Sequence, residues 1–392
     1  MPEDVVIVSA ARTPIGELKG ALSELKAHDL GALVIKEVLD RANILPSDVS
    51  EVILGQVLTA IQGQNPARQA ALNAAIPYSV PAYCINMLCG SGLKAVILGY
   101  LSIYGGDAKV VVCGGQESMS QAPHAMNLRA ETKLGNRDMI DTMIYDGLTD
   151  AFHGIHMGVT AENIAERYQI SRAEQDKFSL DSQRKAENAI KSNRFNEEIV
   201  SVTALKKKQK VIISKDEFPK FGCTIESLQK LKPAFRKDGT VTPGNASGIN
   251  DGAAAVILMN NSEAKNRGLR PLGRIVTFSC CGIDPLVMGL GPINAIKSVL
   301  LKAGWGIDDV DIYEINEAFA SQSIAVIKEL GLNRDKVNIN GGAIALGHPI
   351  GASGARVLVT LLYALKQTGK KRGVASLCIG GGMGIAIAVE TV

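Results

Sequence analysis

No apolar run among the 392 residues continues without charge or glycine for long enough to span a bilayer, so a membrane-embedded chain is not expected. Strong charge of either sign is also missing. The formal balance of +3 at pH 7 is too weak for a polyanion-binding surface, and no basic stretch carries interleaved aromatics; nucleic acid is not an expected partner. The seven cysteines include no C-x-x-C pair, are odd in number, and several lie inside apolar runs such as KVVVCGG and ASLCIGGG. Such thiols speak for a reducing compartment and against a disulfide framework. Met1 leads through Glu3 and Asp4 into VVIVSA, and the final ETV is not a peroxisomal address, so the expectation is a cytoplasmic chain without a signal or transit peptide. Glycine, by contrast, is in excess. The 40 glycines exceed the usual share of roughly 7% and come in clusters, as tight turns require.

A chain of 392 residues can bury one large core or two to three ordinary ones, which makes a multi-domain or duplicated architecture the expectation. Short β-branched runs (VVIVSA, EVILG, KVVVCGG, GRIVTF, DIYEIN, VASLCIGGG) alternate with amphipathic stretches such as LGALVIKEVLDRA and SGARVLVTLLYALKQ, the pattern of α/β layers. The chain also resembles itself. VIKEVLDRANILPSDV from Val34 lies over AIKSVLLKAGWGIDDV from Ala295, and within a residue the same offset lays SGLKAV at Ser91 over SGARVL at Ser353. Two similar α/β halves follow. The predicted units are an N-terminal half over 1–119 completed by 250–270, an inserted loop domain over 120–249, and a C-terminal half over 271–392. The inserted stretch is more polar and includes SRAEQDKFSLDSQRKAENAIKS, with a Ser cap and a Glu three residues on. The basic run LKKKQK from Leu205 reads as a solvated hairpin.

Four short segments carry chemistry. Cys89, in INMLCGSGLKAVILGYLSI, lies where an extended run turns into a helix; a thiol there meets free backbone N–H groups and the positive end of the helix dipole, expected to lower its pKa. Taken alone, Cys89 reads better as a buried structural cysteine. His348 sits in NINGGAIALGHPIGASGAR, where Gly341, Gly342, Gly347, Gly351 and Gly354 allow close backbone approach to a substrate. Cys378 ends the run VASLC, and Gly380, Gly381 and Gly382 follow with N–H groups able to form an oxyanion hole. Asn316 and Glu317, in EINEAFA, end a strand and open a helix.

Together these blocks resemble the thiolase family over essentially the whole chain, and its short-chain, biosynthetic, cytosolic members most closely. The matching motifs are NMLCGSGLKA around Cys89, GGQESMSQAPH from Gly114, HMGVTAEN from His156, GNASGINDGAA from Gly244, NEAF from Asn316, GGAIALGHPIGASG from Gly341 and CIGGGMG from Cys378. The resemblance implies a thiolase-like duplicated α-β-α fold with an inserted loop domain, and acetyl-CoA C-acetyltransferase activity. Cys89 would be the nucleophile, His348 its base, and Cys378 the acid/base that removes the α-proton of a second acetyl-CoA. Asn316 would hold a water beside the enolate, and the N–H groups of Cys89 and Gly380, together with His348, would stabilise the oxyanions.

Acetyl-CoA, acetoacetyl-CoA and coenzyme A are then substrates and products, with no permanently bound cofactor. The implied contacts to them are Leu148, His156, Met157, Lys220, Ser227, Phe235, Ala246, Ser247, Ala318 and Phe319, with Met288 narrowing the acyl pocket. Lys220, in FPKFG, stands where relatives often carry arginine, and a lysine offers no planar fork to a phosphate. His153 and His156 have metal-like spacing but no evident third ligand, and no metal is expected. The assembly implied is a homotetramer, a dimer of dimers with SQAPHAMNLRAETKLGNRDMID as the outer arm and KVVVCGG expected as an edge strand of the tight dimer. The nearest alternatives are a broader-specificity 3-ketoacyl-CoA thiolase, a decarboxylating ketosynthase, and a carrier on the same fold without catalysis.

Overall fold

The computed structural model describes residues 3–129, 134–206 and 209–392. Nine strands form the main path of one sheet, in the order Ile312–Ile315, Arg372–Ile379, Met383–Glu390, Gly273–Gly282, Val5–Arg12, Asn250–Asn260, Val110–Ser118, Glu51–Gly55 and Ala82–Ile85. The order is nearly symmetric about the contact between Val5–Arg12 and Gly273–Gly282. On each side of that contact two antiparallel pairings are followed by a parallel one, ending at Glu51–Gly55 on one side and Ile312–Ile315 on the other. The two strands at that contact are in register at two residue pairs, Val6 with Arg274 and Ile7 with Gly273. The duplicated pattern in the sequence thus corresponds to two mirrored strand sets.

Apolar side chains divide this sheet into layers. The helices Ser91–Tyr104 and Ser353–Thr368 pack between the two strand sets and share one core with both. A second core covers the outer face of the N-terminal strands with Ala27–Ala42 and Pro66–Asn73, and a third covers the C-terminal strands with Gly291–Ala303 and Ala320–Leu330. The helices Ala27–Ala42 and Gly291–Ala303, aligned by the self-comparison, both end in a left-handed residue, Asn43 at φ 50° and Gly304 at φ 69°. The stretch Pro285–Ala303 is apolar and long enough to cross a membrane, but 61% of its most apolar window is buried inside the fold, as a core helix requires.

The expected edge strand is a correction. Val110–Ser118 lies between Asn250–Asn260 and Glu51–Gly55 and is buried at all nine positions, as suits an apolar run without polar alternation. The strand at the end of the sheet near Cys89 is Ala82–Ile85, half-buried at all four positions.

Between Ser118 and Asn250 the chain leaves the sheet and forms the helices Met157–Arg167 and Arg172–Lys191 and two hairpins. The capping box predicted at Ser171 and Glu174 is present. Val202–Lys206 pairs with Gln209–Ile213, and the 207–208 portion of the basic run lies outside the described residues, as does 130–133 of the expected arm. Fully buried Arg12 anchors this excursion to the first strand, with Glu198 at 2.6 Å and a two-pronged contact to Asp216 at 2.7 and 2.9 Å. Such pairing answers the cost of burying a guanidinium.

Candidate active site

The N-termini of the two central helices cross at glycine. A Cβ on Gly354 would lie 2.3 Å from the Leu93 nitrogen, and one on Gly92 would lie 2.7 Å from the Ala355 nitrogen. Backbone therefore meets backbone, and the turns that precede the helices, one carrying Cys89 and the other His348, are brought face to face. Both turns are fastened by a serine. Ser91 Oγ donates to Leu88 O at 2.6 Å and accepts from Met87 N at 2.8 Å, while Ser353 Oγ lies 2.9 Å from Pro349 O. Leu88 takes a left-handed φ of 46°, an unfavourable conformation for a branched side chain, directly before Cys89.

The backbone N–H groups of Gly380 and of Cys89 itself act on the Cys89 sulfur. Those contacts favour thiolate, but burial outweighs them and pushes the thiol up to about 11. This reverses the lowering expected from the helix terminus: the dipole effect is worth roughly 0.3–1 kcal/mol in the open, less than removing a charge from water costs. Cys89 is a neutral thiol at rest.

The His348 imidazole, on the facing turn, is uncharged as well. Burial, aided by the positive charge of Arg356, pushes the imidazole down to about 3, so it is neutral and able to accept a proton. Its backbone N–H donates to Asn250 Oδ1 at 2.8 Å, and its Nδ1 lies 2.6 Å from Ser353 Oγ. If the one Ser353 proton goes to the Pro349 carbonyl, Nδ1 must be the donor to Ser353, which leaves the lone pair on Nε2. Asn316 Nδ2 lies 3.4 and 3.5 Å from the two ring nitrogens, and Asn316 Oδ1, fully buried, has no partner among the described residues. Neighbouring Glu317 is structural: its carboxylate accepts from Ser182 Oγ at 2.6 Å and Asn338 Nδ2 at 2.9 Å.

Cys378, next to last in the Arg372–Ile379 strand, is fully buried, and burial together with the nearby Cys89 sulfur raises its thiol far above the ordinary range. It belongs to a small apolar cluster with Met157, Ala246, Met288, Ala318 and Phe319, against which Phe235 packs. Ser247 N donates to Ala318 O at 2.9 Å, which joins this wall to the segment after Asn316. His156 caps the Met157–Arg167 helix through Nδ1 and stacks on Phe235 at 4.7 Å, while Leu148 and Cys89 pack against the same apolar cluster. Lys220 and Ser227 line a neighbouring cleft of about 410 Å³ with Phe218, Phe221 and Cys223; the Lys220 ammonium pairs with Glu17. His153 turns to Asp150 at 2.9 Å, and no three His, Cys, Asp or Glu side chains gather as a metal-holding group among the described residues.

Two neighbouring thiols, a neutral imidazole on the facing turn and backbone N–H groups directed at one of the sulfurs are the equipment of acyl transfer through a cysteine. Comparison with known proteins agrees. The family profiles described as "Thiolase, N-terminal domain" and "Thiolase, C-terminal domain" match residues 5–262 and 269–391.

The chain is a thiolase.

It is 58% identical to the cytosolic acetyl-CoA acetyltransferase of Mus musculus over 390 residues, covering 99% of this chain and 98% of the relative. Identity to the acetyl-CoA acetyltransferase of Rhizobium meliloti is 57% over 386 residues, covering 98% of each chain. The crystal structure of the Bacillus anthracis acetyl-CoA acetyltransferase superposes with a TM-score of 0.98 at 46% identity, covering 100% of this thiolase and 99% of that chain. That of human mitochondrial 3-ketoacyl-CoA thiolase gives 0.96 at 43% identity, with 100% and 99% coverage. Ser353, Asn250 and Glu117 also belong to this site and are not among the residues predicted from the sequence. Ser353 had a signal, a hydroxyl five residues after His348 at the start of a helix, and so did Glu117, a carboxylate near the end of an otherwise uncharged strand.

Proposed function

We propose that this thiolase is an acetyl-CoA C-acetyltransferase, condensing two acetyl-CoA into acetoacetyl-CoA and coenzyme A and catalysing the reverse thiolysis through an acetyl group held on Cys89. The observation that carries this reading is the aim of two N–H groups, of Cys89 and of Gly380, at one sulfur. His348 takes the Cys89 proton as the sulfur attacks the thioester, and the two N–H groups hold the oxyanion. Cys378, protonated at rest, becomes a base only by giving its proton to the departing coenzyme A thiolate. It then removes a proton from the methyl of the second acetyl-CoA. The enolate, held by His348 and a water on Asn316, attacks acetyl-Cys89, and the released Cys89 sulfur recovers its proton from His348. Each group ends in its starting protonation state: Cys89 regains its proton from His348, and the methyl proton replaces on Cys378 the one that leaves with coenzyme A.

Coenzyme A and its thioesters serve as substrates and products, without a resident cofactor. In this reading Leu148, His156, Met157, Phe235, Ala246, Ser247, Ala318 and Phe319 line the pantetheine and acyl path, Met288 shortens it, and Lys220 and Ser227 lie toward the nucleotide end. Residues 120–249 act as a loop domain inserted into an N-terminal half of 1–119 and 250–270, with 271–392 the C-terminal half. The cytosolic relatives support a cytoplasmic location. The assembly proposed is a homotetramer, and light scattering that found a monomer at micromolar concentration would remove that part. Thiolysis of 3-ketoacyl-CoA of increasing chain length, by the parent and by Cys89→Ser, tests the activity. Turnover confined to short chains and lost in the variant is expected; equal turnover of long chains would favour the broader 3-ketoacyl-CoA thiolase.

A further inference from the structure

Glu117 is next to last in the Val110–Ser118 strand, and its side chain is wholly buried. Its carboxylate meets three backbone N–H groups: Val57 donates to Oε2 at 3.0 Å, Leu58 to Oε1 at 3.2 Å and Gly351 to Oε2 at 2.9 Å. Two of these donors belong to the loop after the Glu51–Gly55 strand, and the third to the turn that carries His348. Both segments reach the nucleophile, since Val57, Leu58 and Ile350 share one apolar cluster into which Leu88 and Cys89 pack. The fit is close. A Cβ on Gly351 would lie 2.7 Å from Glu117 Oε2 and 2.8 Å from Gln56 Cα. Gln56 braces the same loop, its Nε2 donating to Leu58 O at 3.0 Å and its Oε1 accepting from Gln116 Nε2 at 2.8 Å.

An ionised carboxylate presents several acceptor sites and no donor, which suits three converging N–H groups. An amide would set its own N–H against one of them, and an aspartate would fall a methylene short. A change at Glu117 would therefore move the His348 turn relative to Cys89. We propose that Glu117 is a positioning residue for acyl transfer, tying the loop beside Cys89 and the turn of His348 to one carboxylate and so setting the separation of nucleophile and base. The proposal rests on the roles given above to Cys89 and His348.

Burial pushes the Glu117 carboxyl up to about 8, against the three N–H groups, with Asp251 adding in the same direction. Cys84 and Cys89 are the thiols that feel its charge. Protonation would place a hydrogen on an oxygen that must accept, so kcat of the parent should fall as pH drops through that range.

The test is steady-state thiolysis of acetoacetyl-CoA by the full-length parent, Glu117→Gln and Glu117→Asp, from pH 7 to 9, with circular dichroism of each. A misplacement of about 1 Å can cost on the order of 100-fold. The expected result is kcat lower by about that factor in the Gln variant, KM within about threefold, intact circular dichroism and no rise of kcat with pH over this range. The Asp variant, which keeps the charge, should recover part of the rate and the pH limb. A kcat within threefold of the parent in the Gln variant, a parallel rise in KM, or an unchanged pH limb overturns the proposal. Loss of the fold in both variants also counts against it, because Glu117 would then be a folding requirement. A parent that accepts no acetyl group on Cys89 would instead remove the reading beneath it.

Discussion

Gly92 and Gly354 stand at equivalent positions of the two halves and touch each other's helix backbone. A side chain at either would separate the turns of Cys89 and His348. Because the atom a Gly354 Cβ would strike is the Leu93 nitrogen, no side chain can rotate away to make room. Gly354→Ala is expected to destabilise the fold by about 3 kcal/mol or more, as overpacked cores do. Thermal unfolding should show a lower melting temperature, and the folded fraction should turn over more slowly. An unchanged melting temperature would mean that the helices can part freely.

Removing the Ser353 hydroxyl frees the imidazole that it orients at 2.6 Å. For Ser353→Ala, kcat should fall by about ten- to a hundredfold, a share of the ~10²–10⁴ that a placed base contributes, with KM little changed. Unaltered kcat would show that Asn316 and the backbone suffice to hold the ring.

Because burial pushes the Cys89 thiol up to about 11, its thiolate fraction should grow about tenfold per pH unit below that value. Inactivation by iodoacetamide should follow the same slope from pH 7 to 10, without levelling. A plateau below pH 9 would indicate a thiolate already formed at neutral pH, paired with protonated His348.

The two half-reactions make different demands on Cys378. In Cys378→Ser, exchange of labelled coenzyme A into acetyl-CoA should persist better than formation of acetoacetyl-CoA, since only the latter needs a carbon-bound proton removed. Equal loss of both would assign Cys378 to acylation as well.

Much of this site was legible in the chain because its groups sit in glycine-rich turns whose spacing has a chemical reason. Cys89 before SGLKA, His348 in GHPIGASG and Gly380 in CIGGGMG stand out in the sequence, and the SG pair common to the two central helices signals the duplication. What stayed hidden depends on contacts between distant residues. The raised Cys89 thiol reflects burial by both halves, which outweighs the local helix terminus. The interior place of Val110–Ser118 is set by Asn250–Asn260 returning to pair with it, a partner more than 130 residues away in the chain. Glu117 resembled any polar strand end until Gly351 was brought to within 2.9 Å of it.

Incubation of the full chain with acetyl-CoA, followed by mass spectrometry of the intact protein and of its peptides, tests the central claim most directly. One acetyl group on Cys89, absent in Cys89→Ser and lost on adding coenzyme A, is the predicted result. An acetyl group on Cys378, or on no cysteine at all, would contradict it.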